Sequence, residues 1–153
     1  MKYRRQKILA IASKGGHWIQ LMRLKPAFEN CEIVYVSTDD GYCNRDNDSC
    51  FYTVTDANRW TKFKLVRLGF EVFKIICKEK PSVVISTGAA PGLLAIFFGK
   101  IFGARTIWVD SIANVEKISM SGRIASFLVN LNMTQWPHLA KSSKIIFKGN
   151  VIL

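Results

Sequence analysis

Short apolar runs recur along the chain, separated by polar or glycine-rich turns. The first, residues 8–12, contains only isoleucine, leucine and alanine, and residues 33–36 and 83–85 are rich in valine and isoleucine. Such runs without alternating polar positions are typical of strands buried on both faces of a sheet. The same pattern, in weaker form, predicts strands at residues 51–54, 106–109 and 145–147.

Residues 60–80 change to the period of a helix. Five apolar side chains recur at intervals of three and four, namely Phe63, Val66, Phe70, Phe73 and Cys77. Five mostly basic side chains recur likewise on another face, namely Lys64, Arg67, Glu71, Lys74 and Lys78. We predict a crossover helix that buries the first face against a sheet and leaves the second in solvent. The alternative is a helix that lies on a membrane surface or on a partner.

Two further helices are expected at residues 91–102 and 121–131, the first opened by Pro91 and closed by Gly103. Strands that alternate with helices indicate a parallel sheet with right-handed crossovers. The predicted fold class is therefore α/β, a Rossmann-like parallel sheet with helices on both faces. A length of 153 residues suits one such domain, spanning residues 1–153.

Four polar or glycine-rich turns follow predicted strands, at residues 13–17, 37–41, 86–92 and 110–114. The carboxyl ends of parallel strands meet at one edge of a sheet, where ligands of such folds bind. Gly15 and Gly16 allow a sharp turn that exposes backbone N–H groups to an anion, and His17 adds a titratable ring. The other interpretation is that this glycine pair forms only a tight turn. Neither the G-x-G-x-x-G nor the G-x-x-x-x-G-K-[ST] motif occurs, which argues against dinucleotide-dependent oxidoreduction and P-loop hydrolysis.

The chain is strongly basic, with 22 Lys and Arg against 11 Asp and Glu and a net charge of +11. This charge favours an anionic partner: a phosphorylated substrate, a membrane surface or nucleic acid. No recognition motif for nucleic acid is present, so we expect no nucleic-acid partner. Four cysteines without C-x-x-C spacing and only two histidines predict no metal site and no cofactor, with the thiols reduced. No apolar run has the length of an export signal or of a membrane span.

A set of motifs resembles, in order, the asparagine-linked glycosylation protein fourteen family, including its bacterial PssD-type members from exopolysaccharide and capsule synthesis. The residues that carry the resemblance are Ser13-Lys14-Gly15-Gly16-His17, Ser37-Thr38-Asp39, the turn from Ser86 to Gly92, the segment from Ser119 to Arg123, and Gln135-Trp136-Pro137. The similarity extends over nearly the whole chain.

The resemblance implies half of an enzyme, similar to the N-terminal acceptor-binding domain of a GT-B glycosyltransferase such as MurG. A separate small chain would bind the UDP-sugar, and the two together would transfer a sugar to a polyprenyl-diphosphate-linked saccharide. The implied location is peripheral, on the cytoplasmic face of the cell membrane. The alternative is a non-catalytic adaptor that recruits and activates the transferase there.

The resemblance also implies roles for individual residues. His17 is a candidate general base or diphosphate ligand, and Asp39 is a rival base that could instead form a turn. Residues expected at the acceptor or its diphosphate are Ser13, Gly15, Gly16, Thr87, Gly88, Ala89 and Gly92. Basic side chains and an apolar surface would bind anionic lipid, with Leu93, Phe97 and Lys100 as candidates, although an apolar helix of this kind is more often core.

The chain also departs from the family. Eukaryotic members begin with a membrane-spanning helix, for which no apolar run here is long enough. Asp110-Ser111 stands where the family commonly has Glu-Ser, and Asn114 stands in place of an arginine, so no role of that arginine transfers. Trp136 could pack within the fold or contact a partner.

Overall fold

A computed structural model describes residues 5–45, 50–141 and 143–151. Its centre is a seven-stranded sheet in which each neighbouring pair is parallel, in the order β3-β2-β1-β4-β5-β6-β7. The strands are β1 (Lys7–Ala12), β2 (Glu32–Ser37), β3 (Cys50–Thr53), β4 (Val83–Ser86), β5 (Arg105–Val109), β6 (Leu131–Thr134) and β7 (Ile146–Phe147). The predicted Rossmann-like parallel sheet is confirmed.

Four α-helices connect the strands, namely α1 (Gly16–Arg23), α2 (Lys62–Glu79), α3 (Ala89–Ile101) and α4 (Met120–Ala125). Short 3-10 segments occupy Lys25–Phe28, Asp40–Arg45 and Pro137–Leu139. Lys80, in the left-handed conformation, ends α2 directly before Pro81. Of the described helices, none has the length and hydrophobicity that a bilayer crossing requires.

Both faces of the sheet are apolar, as the continuous runs predicted. Leu9 of β1 lies on the face that packs against Leu68 of α2 and Ile96 of α3, and all three side chains are fully buried. Ala10, the next residue, lies on the opposite face, where Trp18 of α1 packs. Because neighbouring residues of a strand point to opposite faces, one short apolar run supplies both layers of the core.

The prediction for the buried face of α2 is wrong. Phe63 and Val66 are 93% and 74% exposed, whereas Leu68, Val72 and Ile76 are almost fully buried. The helix carries two apolar stripes, one aromatic and one aliphatic. The aliphatic stripe packs on the sheet, where its compact branched side chains meet the valines and isoleucines of the strands, and the aromatic stripe faces outward.

The predicted helix at residues 121–131 is also wrong at its end. Helix α4 stops at Ala125, and Leu131 begins β6, a strand that the sequence analysis did not predict. Asn130 fixes this change: its N–H donates to the Thr106 carbonyl at 3.0 Å, and its side-chain oxygen accepts from the Thr106 N–H at 2.9 Å. These bonds set the register of β6 beside β5.

Candidate functional site

A crevice lies at the carboxyl ends of β1 and β4, which are neighbours in the sheet. From β1 the chain passes through α1 to β2 on one side, and from β4 it passes through α3 to β5 on the other. Helices α1 and α3 both begin at this edge, and neither has a side-chain cap hydrogen bond. The first amides of each helix lack acceptors within the helix, so two positive helix ends face the place where a ligand of such a fold binds.

His17 in α1 and Thr87 after β4 form a reciprocal pair of hydrogen bonds across the crevice. The His17 Nδ1 lies 3.0 Å from the Thr87 carbonyl oxygen, and the Thr87 hydroxyl donates to the His17 carbonyl oxygen at 2.7 Å. Because a carbonyl only accepts, Nδ1 must carry the proton. In the neutral ring, Nε2 therefore keeps its lone pair and can accept a proton.

Gly88 makes the close approach of the two loops possible. A Cβ atom at this position would lie 2.5 Å from both Cε1 and Nδ1 of His17. Gly88 also has φ of 143°, and the next residue, Ala89, has φ of 65°. A side chain at position 88 would therefore displace the imidazole, and the backbone of this turn suits glycine.

Gly92 is buried and has a packing role. Its Cβ would lie 1.8 Å from the Ser86 Oγ, so the first turn of α3 rests directly on the end of β4. The Ser86 hydroxyl oxygen accepts from the Gly88 N–H at 3.1 Å. The structure thus places Gly92 beneath the turn, while Gly88 and Ala89 form the turn itself.

The turn after β1 is partly committed to contacts within the chain. The Lys14 N–H donates to the Thr38 hydroxyl oxygen at 2.9 Å, and the Gly15 N–H donates to the Tyr42 hydroxyl oxygen at 3.3 Å. Gly15 has φ of 79°, and both Gly15 and Gly16 are exposed, as Ser13 is in part. Of the predicted anion-binding amides, that of Gly16 is therefore better placed for a ligand than that of Gly15.

The side chains of this turn have defined partners as well. Tyr42 stacks on the buried ring of Trp18 with the centroids 4.8 Å apart. The Lys14 ammonium lies 3.1 Å from the Asp56 carboxylate, which raises the pKa of Lys14. Both contacts hold the turn after β1 in place. One comes from the 3-10 segment Asp40–Arg45 and the other from the loop after β3.

Asp39 bonds within its own turn. Its Oδ1 accepts from the Gly41 N–H at 2.9 Å, the arrangement expected for a turn-forming carboxylate. Glu116 is exposed in the loop after β5. Within the described ranges, no three His, Cys, Asp or Glu side chains cluster as metal ligands would.

Asp110, which is only 2% exposed, organises the loop between β5 and α4. Its Oδ1 accepts from Trp108 Nε1 at 3.1 Å and from the Ser119 hydroxyl. Its Oδ2 accepts from the Ser119 N–H at 2.9 Å and from Asn114 Nδ2 at 3.1 Å. Ser119 in turn caps α4 by accepting from the Gly122 N–H. Asn114, which stands where the family that the chain resembles commonly has an arginine, thus stabilises this loop through its bond to Asp110.

A buried pair of glutamines ties α1 to the same loop, and of the two the sequence analysis missed Gln20. Gln20 donates to the Ser111 hydroxyl oxygen at 3.0 Å and accepts from the Ile112 N–H at 3.0 Å and from Gln135 Nε2 at 2.7 Å. Gln135 also donates to the Asp110 carbonyl. The sequence signal was the position of Gln20, three residues after His17 and between Trp18 and Leu21, which are both buried.

The Gln-Trp-Pro motif completes this framework. Trp136 Nε1 donates to the Ile112 carbonyl at 2.7 Å, and His138 Nε2 lies 2.6 Å from the Val115 carbonyl oxygen. These contacts agree with the packing role considered for Trp136. The motif thus holds the loop after β5 in place.

The candidate membrane residues lie on α3. Leu93 is half-buried, Phe97 is 43% exposed and Lys100 is exposed. The buried side of the same helix is formed by Ala95, Ile96 and Gly99. Helix α3 is therefore core on one side and an apolar surface on the other.

Comparison with proteins of known structure shows that the fold is shared. MurG of Acinetobacter baumannii superposes with a TM-score of 0.77 at 14% identity, over 95% of this chain and 46% of that one. The UDP-N-acetylglucosamine 2-epimerase of Rickettsia bellii gives a TM-score of 0.73 at 16% identity, over 97% of this chain and 46% of that one. The chain thus spans about half the length of both enzymes, and at these identities the likeness concerns the fold alone.

Comparison of sequences shows the family. The human protein named "UDP-N-acetylglucosamine transferase subunit ALG14" is 27% identical over 178 aligned positions, which cover 95% of this chain and 82% of the human one. The family described as "Oligosaccharide biosynthesis protein Alg14 like" matches residues 53–151. Because that match covers well over half of the 153 residues, the chain belongs to the Alg14-like family of oligosaccharide biosynthesis proteins.

Proposed function

We propose that this protein is the acceptor-binding, membrane-associating subunit of a two-chain glycosyltransferase. In this proposal a sugar passes from a UDP-sugar to a polyprenyl-diphosphate-linked saccharide, and a small partner chain binds the UDP-sugar. The observation that carries it is the His17–Thr87 pair in a crevice that two uncapped helix N-termini face. The site thereby combines a proton acceptor with positive ends for a diphosphate.

The relatives support the division into two chains. The human relative is named a transferase subunit, and this chain aligns with 82% of it. MurG, whose fold the chain shares over 46% of MurG's length, leaves room for a second half of similar size. A GT-B active site lies between two such halves, so residues 1–153 would be one domain on one side of a cleft.

The proposed reaction uses His17 as general base. The acceptor hydroxyl would give its proton to His17 Nε2 while its oxygen forms a bond to the anomeric carbon of the donor sugar. The bond from that carbon to the nucleotide's phosphate oxygen breaks, and UDP leaves with the electron pair. Thr87 contributes by keeping the Nδ1–H tautomer, since a ring that is protonated on Nε2 could not accept.

The diphosphate of the acceptor would lie against the free helix ends. The amides at the start of α1, from Gly16 onward, and those at the start of α3, beyond Gly88, have no side-chain cap. Dipoles of two helices that meet at one crevice favour a negatively charged group there. Ser13 and Ala89, which are partly exposed, would line this anion site, whereas Thr87 is fully buried and acts through His17.

The experiment is reconstitution with the small UDP-sugar-binding chain. Co-expressed chains should transfer sugar to a polyprenyl-diphosphate saccharide, and His17→Ala should lower turnover by about 10²-fold or more. Asp39→Asn should have a smaller effect, because the amide oxygen can still accept from Gly41. Full activity of the partner alone would refute the proposal, and a mild effect of His17→Ala would refute the base.

A non-catalytic adaptor is the second candidate, and one observation favours it. The Lys14 and Gly15 amides, which the sequence offered to a phosphate, already donate within the chain. An adaptor would tolerate substitutions throughout both glycine turns, provided that it still binds the membrane and its partner. Parallel loss of transfer in His17→Ala and Gly88→Ala, with partner binding intact, would exclude it.

The proposal extends to location and pathway. We place the protein at the cytoplasmic face of the cell membrane as a peripheral protein, in exopolysaccharide or capsule synthesis of the PssD type. The net charge of +11 supports attraction to anionic lipid, and no nucleic-acid partner is proposed.

A further inference from the structure

Helix α1, which carries His17, is held at its second turn by a buried amide. Gln20 is 7% exposed and follows His17 by three residues, so the two side chains are neighbours on one side of the helix. A helix of eight residues has little stability of its own, so its position in the molecule depends on its tertiary contacts. The contacts of Gln20 therefore help to decide where His17 lies.

The partners of the Gln20 amide determine its orientation. A backbone N–H only donates, so the Gln20 oxygen must face the Ile112 N–H, at 3.0 Å, and its Nε2 faces the Ser111 hydroxyl oxygen, also at 3.0 Å. The second lone pair of the Gln20 oxygen accepts from Gln135 Nε2 at 2.7 Å. Gln135 is itself held, because its oxygen accepts from the Val151 N–H at 3.0 Å. Both acceptor positions of the Gln20 oxygen are thus occupied, and the amide has a single orientation.

We propose that Gln20 is a positioning residue for His17. Trp18 and Leu21 pack α1 against the sheet, but apolar contacts are not directional and do not fix the rotation of a helix. Two sets of hydrogen bonds do so: those between His17 and Thr87 at the first turn, and those of Gln20 with the loop after β5 at the second. Without the second set, α1 can turn about its axis and lengthen the bond from His17 Nδ1 to the Thr87 carbonyl.

The chemical consequence of this placement rests on the proposed function. The bond to the Thr87 carbonyl keeps the proton on Nδ1 of His17 and the lone pair on Nε2, the tautomer that a general base at this position requires. A free neutral imidazole side chain prefers the proton on Nε2. A ring that lost the carbonyl would therefore present an N–H where the acceptor hydroxyl must give up its proton. Gln20 would maintain the reactive form of His17 without touching the substrate.

Nitrogen NMR of the full chain measures the tautomer directly and needs no partner chain. The sequence contains two histidines, and the second has the opposite tautomer, because His138 Nε2 lies 2.6 Å from the Val115 carbonyl oxygen and must carry the proton. At mildly alkaline pH, where an imidazole is neutral, His17 should show a protonated Nδ1 and His138 a protonated Nε2. His138→Asn assigns the signals. A parental His17 that is protonated on Nε2 would overturn the inference.

Three variants separate positioning from general stability. Gln20→Met keeps the length of the side chain, removes its bonds, and should shift the His17 tautomers toward Nε2–H. Ser111→Ala removes one of those bonds and should give a smaller shift in the same direction. Val72→Ala is the control: Val72 is buried in α2, in the core on the opposite face of the sheet, so the substitution destabilises the fold and should leave His17 unchanged. An unchanged His17 in the folded Gln20 and Ser111 variants, or an equal shift in Val72→Ala, would overturn the inference.

Transfer kinetics separate this inference from the proposed function. With the partner present, Gln20→Met should lower kcat by about tenfold or more and change the KM for the acceptor little, because a misplaced base slows the chemical step rather than binding. Val72→Ala should keep the parental kcat below its melting temperature. A raised KM with the parental kcat in Gln20→Met would overturn the positioning role. If the parent pair transfers no sugar while the NMR results are as expected, the proposed function fails and the positioning of His17 by Gln20 stands.

Discussion

Gly88 determines how closely the turn after β4 can approach His17. Its missing Cβ leaves the space that the imidazole fills, and its φ of 143° is unfavourable for other residues. The His17 tautomer depends on the Thr87 carbonyl, which directly precedes Gly88. One glycine therefore controls both the position of the ring and the bond that leaves Nε2 free.

Gly88→Ala should impair both folding and transfer. We expect a loss of about 1–3 kcal/mol in the free energy of unfolding from strain, together with a fall in turnover as large as that of His17→Ala. Gly16→Ala is the matched control, because a Cβ at Gly16 has no neighbour within 4 Å and its stability should be unchanged or slightly higher. Denaturant unfolding and the transfer assay measure the two effects. A Gly88→Ala protein with parental activity would contradict the geometry of the crevice.

At the residue scale the sequence identified candidate residues but not their arrangement. His17 and the turn containing Gly88 were both identified as candidates, since each follows an apolar strand. Their mutual bonds join residues 70 positions apart and depend on β1 lying beside β4, an adjacency that local pattern does not specify. Gln20 was missed for a similar reason, because its partners lie 91 to 115 positions away.

The two glutamines link three elements of the structure around the crevice. Gln20 belongs to α1, Ser111 and Ile112 to the loop after β5, and Gln135 follows β6. Both amides are buried, so the removal of Gln20 leaves the Ile112 N–H without its acceptor, and the removal of Gln135 does the same to the Val151 N–H. The loop's position relative to His17 therefore depends on side chains rather than on sheet hydrogen bonds.

Gln20→Ala should destabilise the fold by about 1–3 kcal/mol, because it leaves the buried Ile112 N–H without its acceptor and removes one of the bonds that Gln135 Nε2 donates. Adding Gln135→Ala should cost less than the sum of the single substitutions, since the partners disappear together. The exposed Gln6→Ala is the control and should change stability little. Chemical denaturation of the four variants measures this coupling, and strictly additive losses would show that the two amides act independently.

Glu79 joins the end of α2 to two strands. Its Oε1 accepts from the Tyr52 hydroxyl at 2.6 Å, and its Oε2 lies 3.1 Å from the Lys7 ammonium. The bond from Tyr52, assisted by Lys7, lowers the pKa of Glu79 below its ordinary 4.5. The same contact raises the pKa of Tyr52. Because the charged form of Glu79 is favoured only in the folded protein, its stabilisation is present above 4.5 and is lost as the pH falls through the lowered value.

Glu79→Gln should therefore lower the free energy of unfolding at neutral pH. It should also make that free energy fall less steeply as the pH is lowered. The parent and the variant should converge as the pH falls below 4.5, where the parent's carboxylate becomes protonated. Glu32→Gln is the control: Glu32 lies 2.7 Å from the same Lys7 ammonium, but its side chain is 56% exposed and its ion pair is worth little. Denaturant unfolding curves, measured from neutral pH to below 4.5, test this prediction. A difference in the free energy of unfolding between the parent and Glu79→Gln that stays constant with pH would contradict it.

At the scale of elements, prediction succeeded where a segment had one apolar pattern and failed where it had two or none. The strands β1, β2 and β4 were evident because both of their faces are buried. Helix α2 presents an aromatic and an aliphatic stripe, and periodicity does not say which of them meets the sheet. Strand β6 was missed because its buried residues include Asn132 and Thr134, and polar residues do not give the continuous apolar run of a buried strand.

The whole molecule is one side of a cleft in the proposed function. It has the seven-stranded parallel sheet of a GT-B half and aligns with 46% of the length of MurG. Its crevice at β1 and β4, which two uncapped helix N-termini face, suits an acceptor that carries a diphosphate. The donor would then have to come from the other side of the cleft, which the proposed partner would provide.

UDP-sugar binding should accordingly require both chains. Titration calorimetry of the isolated protein with UDP-N-acetylglucosamine should give no saturable heat at physiological salt, whereas the two-chain assembly should bind it. Physiological ionic strength is required because, at low ionic strength, a chain of net charge +11 attracts any nucleotide electrostatically even without a specific binding pocket. His17→Ala should leave this binding intact in the assembly while transfer is lost, since His17 would face the acceptor in the proposed function. Saturable binding by the single chain at physiological salt would place the donor pocket here and contradict the division of the enzyme into two halves.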